Sequence, residues 1–384
     1  MTSRKSSQNR LRSIIFAFIK LGFIAFGGPA AAYAMMRQEF VSRRRWLTEA
    51  DFFGYLGIAN LVPGPNATEM AMLIGHHHAG WWGLFLGGLT YILPAMFLVT
   101  VIAMFYLRFG SLPALERILY GIKPVVIAIL ISAIWGMLKP RLKQPVGLGI
   151  AIAAGTAYFF GVRPLILLVL GGILMGTIHA LKDFSWPVSG LFFYLPQTLL
   201  DFSESDAAPF SLLQLFWVFL KAGALMVGSG YVLIAFIRDD LVVHLNWLTE
   251  SQLVDAIAVG QVTPGPLSTT ATFIGTLLGG LPGAVLATFA MFLPSFLVVL
   301  MVVLFFKRYQ LSDRLGKILD GVSFAALGLM AGVVIEIANS AVTDLLSAAI
   351  AIVATCLLFL FDLNVLWLIL GGGLIGLFRA IFLK

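Results

Sequence analysis

The chain has 384 residues, of which 60% are hydrophobic and 11% charged, with a mean hydropathy of +0.98. A soluble domain carries about 25% charged residues, so lipid must be the main solvent of this chain. Its net charge of +7 and pI of about 9.6 fit loops facing anionic lipid and make nucleic-acid binding a poor inference. The one cysteine, Cys356, excludes an internal disulfide and a thiolate metal site; it is expected as a small core residue.

Along the chain, apolar segments suited to helices fall at about 12–37, 50–62, 66–79, 82–107, 117–138, 146–161 and 164–181. The first lacks a cleavage signature and reads as a retained membrane segment. A polar stretch with Pro187, Pro196, Asp201, Glu204 and Asp206 follows and reads as a linker. A second apolar series then runs at about 212–237, 250–262, 267–279, 282–306, 316–338, 342–361 and 364–382. Alternation of the kind that builds a β-barrel is absent.

The second series repeats the first. Trp46-Leu47-Thr48-Glu49 returns as Trp247-Leu248-Thr249-Glu250, Pro63-Gly64-Pro65 as Pro264-Gly265-Pro266, and Lys20-Leu21-Gly22 as Lys221-Ala222-Gly223. The expected organisation is a first repeat over 1–182, a linker over 183–210 and a second repeat over 211–384. Asp51–Val62 is too short to cross a bilayer, giving about 18 Å of helix against a core of about 30 Å. It meets the next short segment at Pro63-Gly64-Pro65, which cannot continue a helix. Such a pair reads as a re-entrant hairpin whose tip lines a cavity. Each half then has five spans, and an odd number inverts the second half. Loop charges agree: Arg37 and Arg43–Arg45 are answered by Arg238 beside Asp239 and Asp240, and Lys139, Arg141 and Lys143 by Asp344 alone. The expected fold is an all-α integral membrane protein with two inverted-topology repeats, about ten spanning helices and one re-entrant helical hairpin per half. The basic N-terminal tail runs against this charge pattern, so the side of the termini stays open.

Lys20 and Lys221 occupy equivalent positions in the first helix of each half. A lysine at membrane depth is costly, and two related cations near a pseudo-two-fold axis would neutralise a dianion. The plainer reading is snorkelling to an interface. After the tips come Asn66 and Thr68 in the first half and Ser268 and Thr269 in the second. These place amide or hydroxyl groups at the N-terminal turn of a half-helix, a natural oxyanion site. Gly27 and Gly28 break the first helix in the same spirit, with small-residue packing as the alternative. Glu69, one turn past the first tip, is the candidate proton-coupling group; the alternative is a structural carboxylate. Glu39/Asp240 and Glu49/Glu250 read as caps or gate ion pairs with Arg43–Arg45 and Arg238. His76-His77-His78 point apart on a helix and cannot share one metal ion well. No nucleophile constellation, phosphate loop or cofactor motif is present, so an enzyme, a bound cofactor and ATP-driven transport are not expected.

Phe26-Gly27-Gly28-Pro29, Arg43-Arg44-Arg45-Trp46-Leu47, Val62-Pro63-Gly64-Pro65-Asn66-Ala67 and Val262-Thr263-Pro264-Gly265-Pro266 resemble the chromate ion transporter family. The length and duplicated halves match its long-chain members. The resemblance implies a secondary transporter that exports chromate across the bacterial inner membrane, with sulfate as a chemical look-alike; a homodimer is the assembly allowed for. Sulfate uptake by the same fold, or a non-transporting membrane scaffold or sensor, are the alternatives. Gly228-Ser229-Gly230 departs from Gly-Gly-Pro and makes the halves unequal.

Overall fold

The computed structural model describes residues 2–26, 28–60, 62–110, 112–182, 209–226, 230–305, 313–361 and 363–382. The polar linker, apart from Pro209 and Phe210, lies outside them, as do Gly27, Gly228, Ser229, Lys307 and Arg308. The described residues form fourteen α-helices with short π and 3-10 turns.

In the first half α1 (Thr2–Ile24) stops just before Gly27-Gly28-Pro29, and α2 (Gly28–Arg37) opens within that motif, with Pro29 in its first turn. A proline lacks the N–H that a continuing helix needs and crowds the preceding residue. A π turn, Gln38–Arg43, leads to α3 (Glu49–Ala59), started by Thr48, which accepts from Asp51 N–H while Asp51 caps Thr48 in return. α4 (Asn66–Phe109), α5 (Pro113–Leu138), α6 (Pro145–Phe159) and α7 (Pro164–Lys182) complete the half. The second half has α8 (Leu212–Leu225), α9 (Val232–Ile237), a π turn at Arg238–His244 and α10 (Glu250–Val262) behind a Thr249/Gln252 capping box. It ends with α11 (Thr270–Phe305), α12 (Asp313–Ala341), α13 (Leu345–Phe361) and α14 (Val365–Phe382).

α4 and α11 each fold back on themselves. The backbone turns at Ala79 and Gly80 (φ 64°, ψ −148°) and again at Gly279 and Gly280 (φ 61°, ψ −149°), a region open only to glycine. Residues 66–78 and 81–109 then pack antiparallel at backbone contact: a Cβ on Gly75 would lie 2.1 Å from Gly83 O, and one on Gly87 2.5 Å from Ala71 O. The short α3, the short arm of α4 and the long arm of α4 match the expected segments. Positive φ also occurs at two equivalent non-glycine positions, Arg45 (φ 53°) and Asn246 (φ 50°).

Helices are exchanged between the halves. α5 packs on α13 and α14, and α12 packs on α6 and α7. Gly121 meets Gly372 at backbone distance, and its equivalent Gly321 meets Gly171. Apolar helices gain little from burying one another in lipid, so such small-residue contacts, which let backbones approach, hold them together.

Among the described residues, four helical stretches are long and apolar enough to cross a membrane: Asn66–Phe109, Pro113–Arg141, Leu267–Leu304 and Gly316–Ala341. Five shorter apolar helices accompany them. One expectation is corrected here. Cys356 is exposed on the outer surface, because α13 buries the stripe Ser347, Ile350, Ala354 and Leu358 and Cys356 lies off it. The helix is apolar all round, so its sequence could not reveal which face turns inward.

Candidate functional site

The four interruptions meet in crosswise pairs. Gly64 N–H donates to Met226 O (2.7 Å), just past the end of α8. Gly265 N–H donates to Ala25 O (3.1 Å), just past the end of α1. The tip of each half thus clasps the broken first helix of the other, the reciprocal pattern a two-fold relation produces. Glycine is required at both tips: φ is +143° at Gly64 and +101° at Gly265, and a Cβ at Gly265 would lie 2.7 Å from Ala95 Cβ. Gly28 opens α2 at the neighbouring break, and Gly27 lies outside the described residues.

Beyond the clasp the tips differ. After Pro63-Gly64-Pro65, α4 begins directly; Asn66 Nδ2 donates to Asn60 Oδ1 (2.8 Å), while Thr68 and Glu69 are buried. Thr68 Oγ1 and both Glu69 carboxyl oxygens have no hydrogen-bond partner. A Cβ on Gly64 would fall 2.0 Å from both Glu69 Oε1 and Ser295 Oγ, so those two atoms share the bare face of the tip. After Pro264-Gly265-Pro266 the chain forms a 3-10 turn, Leu267–Thr269. There Thr269 donates to Pro266 O (2.9 Å), Thr270 to Leu267 O (2.8 Å), and Ser268 points at Met226 Sδ (3.8 Å). The second tip's hydroxyls are engaged within the protein; the first tip's are not.

Each lysine is held by an acid of its own half. Lys20 Nζ lies 3.8 Å from Glu39 Oε2, and Lys221 Nζ 2.5 Å from Asp240 Oδ1. The π turns carry both acids, which is how they come to face the first helices. Glu39 also accepts from Arg43 (3.2 Å) and Arg44 (2.6 Å). Lys20 borders a cavity of about 380 Å³ with Leu21, Ile24, Met35, Gln38 and Glu39. Glu49 pairs with Arg37 (2.6 Å) and not with Arg43–Arg45. Its equivalent Glu250 pairs with Arg238 (2.6 Å) as expected, and there the network is larger. Arg238 also meets Glu336 (2.5 Å) and donates to the Tyr158 hydroxyl (2.7 Å), which donates to Glu336 (2.6 Å). The three histidines diverge: His77 bonds Tyr55, His78 stacks on Trp46, and His76 leans on Trp81.

Sequence reasoning missed one buried group. Asp255 on α10 lies 3.4 Å from Lys123 Nζ on α5 and accepts from the Tyr106 hydroxyl (2.8 Å); Lys123 also donates to Ser251 (2.6 Å). Neither charge has a repeat equivalent, since Gly54 and Ser323 stand in their places, so the duplication that drew attention to Lys20 gave no signal. A charge at membrane depth was the available clue. Lys123→Met strands the Asp255 charge and is expected to cost about 3–5 kcal/mol of stability. The Lys123→Met/Asp255→Asn double variant should recover much of this, as read by thermal unfolding of the detergent-purified chain. A double variant no more stable than the single would rule out the pairing as the cause.

An apolar helical chain whose interrupted helices meet crosswise around buried polar groups has the build of a multi-pass membrane transport protein. Comparison with known proteins agrees. A family described as chromate transporter matches residues 12–177 and 213–377, and the chain belongs to that family. A chromate transport protein of Cupriavidus metallidurans is 31% identical over 381 residues, covering 96% of this chain and 92% of its own. One from Pseudomonas aeruginosa is 32% identical over 382 residues, covering 94% and 90%. An uncharacterized transporter of Bacillus subtilis, YwrA, aligns over 171 residues at 25% identity, 43% of this chain and 95% of its own length. No solved structure matches the chain.

Proposed function

We propose that this chain exports chromate across the bacterial inner membrane by alternating access. Residues 1–182 and 211–384 act as oppositely oriented repeats of five spans and one re-entrant hairpin each, separated by the 183–210 linker. The observation that carries the reading is the reciprocal clasp, Gly64 to Met226 and Gly265 to Ala25, which joins four helix interruptions between the halves. Helix ends of this kind offer free backbone donors and a positive dipole to an anion, and a rocking motion of one repeat against the other exposes them alternately. The curated relatives named for chromate transport, aligned over nearly the whole chain, support the substrate.

In this reading Lys20 and Lys221 exchange their carboxylate partners for the anion, and Glu69 carries the coupled proton. Radiolabelled chromate and sulfate flux in proteoliposomes with an imposed pH gradient tests it. The wild type is expected to move chromate faster than protein-free vesicles, driven by the gradient. Lys20→Ala and Lys221→Ala each lose a charge-assisted contact, so each is expected to slow flux about 10- to 100-fold. Lys221→Ala also strands Asp240, so Lys221→Ala/Asp240→Asn controls for misfolding. Flux at wild-type rate in both lysine variants would remove the lysines from the site. Absence of chromate flux in the wild type would end the transport reading.

A further inference from the structure

The two lysine mouths are built alike and charged differently. At the first, Glu39 is met by three cations. Arg44 donates to Glu39 Oε1 (2.6 Å) and to Ser13 Oγ (3.3 Å) and lies over the Trp46 ring (5.1 Å), so it is spent on holding that carboxylate. Arg43 reaches the other oxygen at 3.2 Å with its side chain 67% exposed. Lys20, 49% exposed, stands 3.8 Å off, longer than a hydrogen bond. Three cations against one carboxylate leave two positive charges. Lys20 and Arg43 line the same cavity of about 380 Å³, together with Gln38 and Ser42. An ammonium, a guanidinium, an amide and a hydroxyl are donors suited to a tetrahedral oxyanion.

Of these groups the second mouth keeps only the lysine. Asp239 stands for Gln38, Val243 for Ser42, His244 for Arg43 and Leu245 for Arg44. Lys221 donates to Asp240, and His244 lies 3.6 Å from Asp239. Two carboxylates stand where the first mouth has one, and neither arginine is replaced by another. The long arm of α4 ties the two mouths to opposite ends of one helix. It starts at Trp81, against His76, in the turn where His78 stacks on Trp46. About 38 Å further on, at 1.5 Å per residue, Tyr106 donates to Asp255 in the second turn of α10, just past the Thr249 cap.

We propose that Lys20, Arg43, Gln38 and Ser42 form a capture site for a free tetrahedral dianion, one per chain, that loads the transporter from one face only. The inference rests on the transport reading above and supplies its direction. A cleft of one sign concentrates its counter-ion and raises the encounter rate about 10- to 1000-fold at low salt. Cations this exposed bind loosely, so the anion is gathered and passed on to the tips, not stored. The mouths lie at the two ends of a membrane-length helix, and only the first attracts anions. An anion leaving by the second meets carboxylates and is released. The basic loop Arg43–Arg45 belongs on the cytoplasmic side, so loading there and release opposite give export.

Equilibrium dialysis of radiolabelled chromate against the purified full chain, at about pH 8 where histidine is neutral, tests this. Gln38→Asp and Arg43→His each install the second half's residue at an exposed position, and each is expected to weaken binding at least about tenfold. Arg45→Gln takes a cation from the same loop but not from the cavity lining, and should change binding less than about twofold. Raising the ionic strength from about 0.01 M to about 0.15 M should weaken wild-type binding more than that of Gln38→Asp. In proteoliposomes Gln38→Asp should raise KM for chromate about tenfold and leave kcat within about twofold, as expected of a site that gathers substrate without moving it. A phospholipid headgroup carries the same anionic oxygens, and native mass spectrometry of the purified chain reads that rival occupant. A phospholipid retained by the wild type and lost from Gln38→Asp would give the cavity to lipid and overturn the inference. So would a wild type that binds no chromate at low salt, binding that Gln38→Asp and Arg43→His leave unchanged, or equal weakening by Arg45→Gln. Flux with binding unmoved by these variants would leave the transport reading standing without this site. Binding that follows the variants without flux would end the transport reading and leave the site.

Discussion

Gly64→Ala is expected to reduce anion flux to below about a hundredth of wild type while the chain still reaches the membrane. Two costs combine. The +143° φ at Gly64 is a conformation that side chains rarely adopt, and holding alanine there costs about 1–3 kcal/mol. The new methyl would also sit 2.0 Å from Glu69 Oε1 and Ser295 Oγ, and overpacking of this kind costs about 1–3 kcal/mol. The tip relieves both by turning away, which breaks the Gly64 N–H bond to Met226 O and moves Glu69. Gly80→Ala is the control. Gly80 also has positive φ, +64°, but a Cβ there meets nothing within 4 Å, so only backbone strain of about 1–3 kcal/mol is expected, with no overpacking. Flux and thermal unfolding measured on both variants separate the two costs. A Gly64→Ala protein with wild-type flux would show that the tip plays no part in transport.

Arg238→Ala is expected to be among the most destabilising single changes on the surface-facing ends of the helices, at about 3–5 kcal/mol. Its side chain is 14% exposed, and its guanidinium sits between Glu250 and Glu336, with the Tyr158 hydroxyl closing the network. Removing it takes the shared cation from both carboxylates. Arg37 is the equivalent residue of the first half, but its side chain is 51% exposed and pairs with one carboxylate, Glu49, beside the Phe53 ring. Arg37→Ala should therefore shift the unfolding temperature far less than Arg238→Ala, since solvent screens an exposed pair. Because Tyr158 belongs to the first half and Arg238 to the second, the loss should also loosen the halves from each other. Thermal unfolding of the two variants side by side provides the measurement, and equal shifts would show that burial and the extra partners do not matter.

Much of the helix pattern was legible because breaks in an apolar chain need special residues. Pro63-Gly64-Pro65, Gly27-Gly28-Pro29 and their counterparts mark where helices stop, and the Thr48 and Thr249 capping signals mark where they begin. The foldbacks at Gly80 and Gly280 fall in the gaps between expected segments for the same reason. Pairing was harder to read. Lys20 and Lys221 stood out as a duplicated pair, yet only the π turns, which leave no mark in composition, bring Glu39 and Asp240 against them. Asp255 and Lys123 carry no repeat signal of the kind that marked Lys20 and Lys221, since Gly54 and Ser323 stand in the equivalent places. The meeting of Glu69 and Ser295 at the Gly64 tip is likewise invisible in sequence, since it arises only when α4 and α11 come together.

The trading of α5 for α12 between the halves bears on how the protein is made. While residues 1–182 emerge from the ribosome, the Gly121 face of α5 has no lasting seat, because Gly372 on α14 is synthesised only after α8 to α13. Insertion of the early helices must run ahead of their final docking, with that glycine surface held in lipid or by an insertion factor in the meantime. A nascent chain halted before α13 should accordingly leave α5 open to protease or to labelling, and full protection should arrive only with α13 and α14.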